Sequence, residues 1–146
     1  MSHPGPNFQW SHSQGQPLWF DSSRATWFGL DTFAIEGYYT TTRTNGFLKF
    51  TGGFTYNGSN VYRHAPYDCR CVGISALTGT SSTCDFQVKD GASAVTGAEL
   101  AFAGRTANAD DTLNSDEIAQ GGKLGIYING TASSGCIAYA YFRRVA

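Results

Sequence analysis

From Gly121 to Val145 the apolar and polar positions alternate with a period of two. Leu124, Ile126 and Ile128 interleave with Lys123, Gly125, Tyr127 and Asn129, which puts three aliphatic side chains on one face of an extended strand. Asn129-Gly130 begins a turn, and the small, polar run from Thr131 to Gly135 lets the chain reverse. Ile137 to Phe142 then form a β-prone run that is apolar on both faces. A strand with no wet face belongs inside a sandwich or against another subunit. The pattern therefore predicts a central strand whose two faces need two covers.

The same grammar recurs upstream. Thr26 to Leu30 and Thr32 to Thr40 read as strands, with Phe33 and Ile35 sharing a face, and Phe47 to Phe50 reads as another. In the strand Arg70 to Leu77, Val72, Ile74 and Ala76 share one face, while Cys71, Gly73, Ser75 and Leu77 share the other. Gly79 to Ser82 reads as a loop. Cys84, Phe86 and Val88 alternate with Asp85, Gln87 and Lys89 as a half-buried strand, and Asp90-Gly91 signals a hairpin. Leu100 and Phe102 mark a strand at Ala98 to Ala103. Asp21 to Arg24, Thr41 to Gly46 and Tyr56 to Asn60 are turns, and Pro66 marks an edge or corner. The acidic stretch Asn108 to Glu117 is expected to cross the sandwich edge, with a short strand at Thr112 to Asn114. No long stretch carries a helical period. The prediction is an all-β fold, an antiparallel β-sandwich of jelly-roll type with about eight to ten short strands. Leu124, Ile126 and Ile128 are expected to share a core with Val72, Ile74, Phe86 and Val88.

The N-terminal stretch breaks this pattern. Met1 to Gln16 is polar, with Pro4, Pro6, Gly5 and Gly15, yet it carries Phe8 and Trp10. It reads either as a disordered tail or as an arm that orders against a neighbour through its aromatics. The organisation expected is an extended arm over residues 1–20 and a sandwich over residues 21–146. Interface contacts are expected at Phe8, Trp10, Trp19, Tyr139 and Tyr141.

Composition narrows the function. The chain has 146 residues, enough for one domain with a proper core. Charged residues make up only 14%, against about a quarter in an average protein, and 18 glycines serve the many turns. The net charge is −1 and the cations are scattered, which argues against nucleic-acid binding. No apolar run approaches the ~20 residues that cross a bilayer, and no secretory signal is recognisable at the N-terminus. A protein made in a cytoplasm is expected.

Candidate chemistry is sparse. Cys69, Cys71, Cys84 and Cys136 lack the paired spacing of a zinc site, and are expected to be free thiols used as small apolar fillers. His64 lies near Cys69 in sequence, but no nucleophile elbow is present. Asp110, Asp111, Asp116 and Glu117 lack the register of a calcium loop. Asn129-Gly130-Thr131 matches a glycosylation acceptor but reads as turn chemistry. No catalytic, cofactor or metal site is expected. Tyr38, Tyr39, Tyr56 and Tyr67 lie at strand ends or in loops, where they could stack on the ring face of a sugar or take part in packing.

The order of motifs resembles small β-sandwich domains of bacteriophage tail, fibre and virion-appendage structural proteins. DSSRATWFGLDTF, NGFLKFTGG, VYRHAPYDCRCVGISA, TCDFQVKDG and the closing GGKLGIYINGTASSGCIAYAYFRRV carry the resemblance, which spans roughly Asp21 to Val145. Cys69 and Cys71 depart from the family pattern, and the arm lies outside it. The resemblance implies a non-enzymatic virion structural protein, as a capsid-decorating or cement subunit or a fibre or tail appendage. It implies other virion proteins as partners and a homo-oligomer, with a trimer favoured. The alternative implied is a receptor- or carbohydrate-binding module of a tail fibre that takes a host-surface glycan.

Overall fold

The computed structural model describes residues 8–50, 55–56 and 60–146, the side chains of 55, 56, 60 and 61 excepted. Among them the strands in chain order are β1 (Phe8–Ser11), β2 (Gln16–Asp21), β3 (Thr26–Tyr39), β4 (Arg43–Phe47), β5 (Lys49–Phe50) and β6 (Thr55–Tyr56). They continue with β7 (Asn60–Val61), β8 (Arg63–His64), β9 (Cys69–Asp90), β10 (Ser93–Asp110), β11 (Lys123–Ala132) and β12 (Cys136–Val145). The fold is all-β and antiparallel, as the alternating pattern predicts.

β9 spans both layers of the sandwich. Its first half pairs with β12, from Arg144↔Cys69 to Cys136↔Thr78. Its second half pairs with β11, from Thr131↔Thr83 to Leu124↔Asp90. β10 follows the other edge of β9 along its length, from Ser93↔Asp90 to Asp110↔Ile74. The first layer is thus β1-β2-β3-β12 with the start of β9 and the end of β10. The second is β4-β11 with the end of β9 and the start of β10, and β8 pairs with β11 beside β4. On the opposite side, β4 leads straight into β5, which pairs with β3, and the Leu48 amide between them donates to the Ile126 carbonyl at 2.8 Å.

One apolar core fills the space between the layers. Ile35, Ala138, Ala140 and Phe142 contribute from the first, and Phe86, Val88, Leu124, Ile126 and Ile128 from the second. Phe33 stacks on Phe142 with ring centroids 4.7 Å apart. The four cysteines are free and buried in this core, so they act as the small fillers expected.

Several boundaries differ from the sequence expectation, each for a local reason. Gly79 to Ser82 is strand, not loop. The Gly79 amide donates to the Gly135 carbonyl at 2.9 Å, and the Thr78 and Ser82 hydroxyls both donate to the Thr80 carbonyl at 2.9 Å. A Cβ on Gly79 would stand 2.1 Å from the Ser134 carbonyl oxygen, so the crossing of chains needs glycine there. Thr26 to Leu30 and Thr32 to Thr40 merge into the single strand β3. Thr112 to Asn114 is not a strand; beyond it, Ile118 bridges to Cys69.

Two further differences come from bulges. β9 carries one extra residue, Val72, between the pairs Phe142↔Cys71 and Tyr141↔Gly73. The bulge switches the inward set to Cys69, Cys71, Ile74 and Ala76, so Val72 leaves the core face expected for it. Asn129-Gly130 is not the turn: β11 runs on to Ala132 and the chain reverses at Ser133 to Gly135. Gly130 sits at φ +101° beside an irregularity in the pairing with β4, and its amide donates to Asn45 Oδ1 at 2.9 Å.

The extended arm is also redrawn. Residues 8–21 form the hairpin β1–β2, and β2 pairs with β3 in the chain's own sheet, from Leu18↔Gly29 to Asp21↔Thr26. Leu18 is buried, which explains why this polar stretch carries aromatic and aliphatic residues. Residues 1–7 lie outside the described residues.

Candidate functional site

β12 separates two environments. Cys136, Ala138, Ala140 and Phe142 point into the core, while Ile137, Tyr139, Tyr141 and Arg143 point out. Directly paired residues share a face, so the registers map this outer surface in rows. One row runs Tyr38, Ile137, Leu77, Ala107 across β3, β12, β9 and β10. The next runs Glu36, Tyr139, Ser75, Ala109. A third holds Ala34, Tyr141 and Gly73. Glu36 is the one charged residue in these three rows.

The surface is open. Leu77 is 55% exposed and Tyr141 43% exposed. A shallow groove of about 470 Å³ runs over Ser75, Leu77, Ala107, Ala109, Ile137 and Tyr139. A second hollow of about 290 Å³ adjoins it at Gly73, Asp110, Asp111 and Tyr141. Tyr141 leans over Gly73, and its hydroxyl lies 3.4 Å from the Ser75 hydroxyl.

Of the five predicted interface residues, Tyr139 and Tyr141 lie on this face, whereas Phe8, Trp10 and Trp19 lie on the β1–β2 hairpin beyond an irregularity in the β3–β12 pairing. Along β12 the outward series Tyr139, Tyr141, Arg143 ends before the buried Val145, where the pairing with β3 shifts register. Val145 pairs with Phe28, Phe28 with Trp19, and Trp19 with Phe8. Phe8 and Trp19 meet edge to face at 4.8 Å. Trp10 pairs with Pro17, two residues further along the same hairpin, and Trp10 and Trp19 are 42% and 45% exposed. Phe28, in the middle of the ladder, is fully buried under the Arg143 guanidinium, 4.6 Å from its ring.

The β2–β3 turn closes over this end. Arg24 Nε donates to the Leu113 carbonyl at 2.6 Å, and Nη2 donates to the Val72 carbonyl at 3.1 Å and to the Asp111 carbonyl. Arg24 Nη1 also bonds Asp21 Oδ2 at 2.6 Å. The Ser23 hydroxyl bond holds the Asp21 carboxyl down at about 2; burial opposes it, and the bonds and charge of Arg24 add to the lowering. Arg24 thus bridges the hairpin to the connection after β10. The open part of the face is what remains, from Tyr38 and Leu77 to Tyr141.

The outer face of the second layer is different. Its aromatics already have partners: the Lys89 ammonium sits 3.7 Å above the Tyr127 ring. Phe47 meets Tyr127 at 5.2 Å and Tyr62 at 5.9 Å, both edge to face. Gln87 bonds Glu99 nearby at 3.2 Å. Cations and polar pairs cover that surface, whereas the first layer leaves Leu77 and Tyr141 exposed and Ile137 and Tyr139 half-exposed between them.

The four tyrosines considered for stacking are not brought together. Tyr38 lies on the open face. Tyr39, the next residue, points the other way and is flanked by Arg43 at 4.7 Å and Lys49 at 5.5 Å. Tyr67 packs edge-on against Phe33 at 5.6 Å, beside the Arg144 guanidinium. Phe33 is six residues from Tyr39 along β3, about 20 Å at ~3.3 Å per residue. The side chain of Tyr56 lies outside the described residues.

The other candidate groups have structural partners. His64 is exposed on β8, with Nδ1 3.1 Å from the Gly121 carbonyl. Burial pushes the Cys69 and Cys71 thiols up to about 12, and Cys84 and Cys136 up to about 11, so all four are protonated at neutral pH. Asp110 accepts from the Thr112 hydroxyl at 2.6 Å and its amide at 2.8 Å, which makes it a turn cap. Among the described residues no cluster of three or more His, Cys, Asp or Glu is placed to hold a metal ion. Sequence reasoning placed Leu77 on one face with Gly73 and Ser75 but did not single it out, and it missed Ala107 and Ala109 because the strand was read as ending at Ala103 whereas β10 runs to Asp110. Compared with known proteins, the chain matches no family model and no curated protein sequence.

Proposed function

We propose that the protein is a non-enzymatic structural subunit of a bacteriophage virion, a capsid-decorating or appendage component that assembles through the outer face of its first layer. The observation that carries the assembly role is the row of exposed Leu77 and Ala107 with half-buried Tyr38 and Ile137, beside the half-buried Tyr139 and the exposed Tyr141. Contiguous apolar surface of this kind marks a contact with another protein, and the near absence of charge is what the centre of an interface requires. The order of sequence motifs from Asp21 to Val145 supports placing that contact in a phage particle. Binding to a host glycan by Tyr38, Tyr39 and Tyr67 is the weaker reading, because those rings face three different surroundings.

The test is to purify phage particles from cells producing the chain, band them by density and probe them for the protein. The expected result is that the protein bands with the particles and that Tyr139→Asp sharply lowers its amount there. Protein that stays wholly in the soluble fraction would overturn the virion role. Unchanged incorporation of Tyr139→Asp would overturn the choice of face.

A further inference from the structure

The open face has a feature that selects its partner. Across the line between β12 and β9, three large side chains match small ones on the other side, and one aliphatic pair matches like with like. Tyr38 on β3 stands at the same distance from the line as Ala107 on β10, and Glu36 stands as Ala109 does. Tyr139 on β12 mirrors Ser75 on β9, and Ile137 mirrors Leu77. A half-turn about an axis lying in the face, parallel to the strands and between β12 and β9, exchanges the members of each pair.

We propose that two copies of this chain pack face to face about that axis. Tyr139 of each copy then seats over Ser75 of the other, and Tyr38 over Ala107. Together these rings fill the groove over Ser75, Leu77, Ala107 and Ala109. Ile137 of one copy lies on Leu77 of the other, and the two Tyr141 rings, each leaning over its own Gly73, meet at the axis. Glu36 falls opposite Ala109, so the acidic side chains do not oppose each other. An isologous contact of this kind requires a self-complementary patch, and the pairing of large with small supplies it.

The size of the face sets the strength. Four strands about 4.8 Å apart and about five residues of ~3.3 Å each give a face of roughly 19 by 17 Å, or about 320 Å² per copy. Two copies bury about 640 Å², about half the ~1,200 Å² at which standard-size interfaces begin, so the dimer is a weak one that a larger assembly reinforces.

The inference rests on the assembly reading but fails separately from it. A monomer found on particles removes the two-fold contact and leaves the virion role, and a dimer absent from particles does the reverse. The experiment is sedimentation equilibrium of the full chain from about 10 μM to about 1 mM. The wild type is expected to fit a monomer–dimer equilibrium. Ser75→Tyr sets ring against ring and is expected to weaken the dimer at least about tenfold. The swap Ser75→Tyr/Tyr139→Ser moves the ring across the axis and is expected to restore the dimer to within about threefold of wild type. Thermal melting of each variant checks folding. Should Ser75→Tyr fail to fold, Leu77→Glu, at a position already 55% exposed, is expected to abolish the dimer in its place. A wild type that stays monomeric at the highest concentration, a trimer, or a folded Ser75→Tyr or Leu77→Glu that dimerises like wild type would each overturn the proposal. A folded swap variant that does not recover would do so as well.

Discussion

Phe142 and Tyr141 are neighbours on β12 that point to opposite sides of one strand, and truncating each to alanine separates the core face from the open one. Phe142 is fully buried and stacks on Phe33 at 4.7 Å with an interplanar angle of 8°. Replacing a buried phenylalanine with alanine costs about 3–5 kcal/mol, since it removes transfer energy and leaves a cavity between rigid strands. That is a large share of the ~5–15 kcal/mol that stabilises a typical domain. For a chain of this length it corresponds to a fall in melting temperature of about 10–15 °C. Tyr141 is 43% exposed, and its hydroxyl approaches the Ser75 hydroxyl at 3.4 Å. Tyr141→Ala in the isolated chain is expected to cost less than about 1 kcal/mol. The assay is urea unfolding followed by circular dichroism at about 5 μM, where a weak dimer is dissociated. Equal losses for the two variants would refute the assignment of faces, because both sides of β12 would then be core.

Three further outcomes follow from the packing. Gly79→Ala should be severely destabilising, by about 2 kcal/mol or more, whereas Gly46→Ala should be milder; the first Cβ meets the Ser134 backbone at 2.1 Å and the second meets the movable Arg43 side chain, and thermal melts of the two compare them directly. Asp21 ionises at about 2 in the folded chain against an ordinary value of 3.8, so its contribution to stability is complete above pH 4 and is lost as pH falls from about 4 to 2; stability measured across that range should decline less steeply in Asp21→Asn than in wild type. The four thiols should resist alkylation at pH 8 in the native chain and all react in denaturant, because burial holds them near 11 to 12; rapid labelling of native protein, read by mass spectrometry, would contradict their place in the core.

The fold class was legible because strand alternation is a local signal. Leu124, Ile126 and Ile128, and likewise Phe86 and Val88, point inward as their spacing predicts. What the alternation could not carry was continuity. Gly79 to Ser82 reads as loop because its residues are small and polar, but the paired backbone and the inward-turned Thr78 and Ser82 hydroxyls keep it in β9. The Val72 bulge inverted the expected faces of Cys71 and Val72, since one inserted residue flips everything beyond it. Of the candidate site, Tyr139 and Tyr141 were readable from a strand apolar on both faces. Their neighbours Leu77, Ala107 and Ala109 depend on which strands lie side by side, and that is set by long-range pairing.

Assembly through the proposed face around Tyr139 and Tyr141 would shield those side chains from solvent. Hydroxyl-radical footprinting of the assembled protein against the dilute monomer, read residue by residue by mass spectrometry, tests it most directly. Leu77, Tyr139 and Tyr141 are expected to lose reactivity on assembly while Tyr127 and Phe47 on the opposite layer do not change. Protection of Tyr127 and Phe47, with Tyr139 and Tyr141 as reactive as in the monomer, would contradict it.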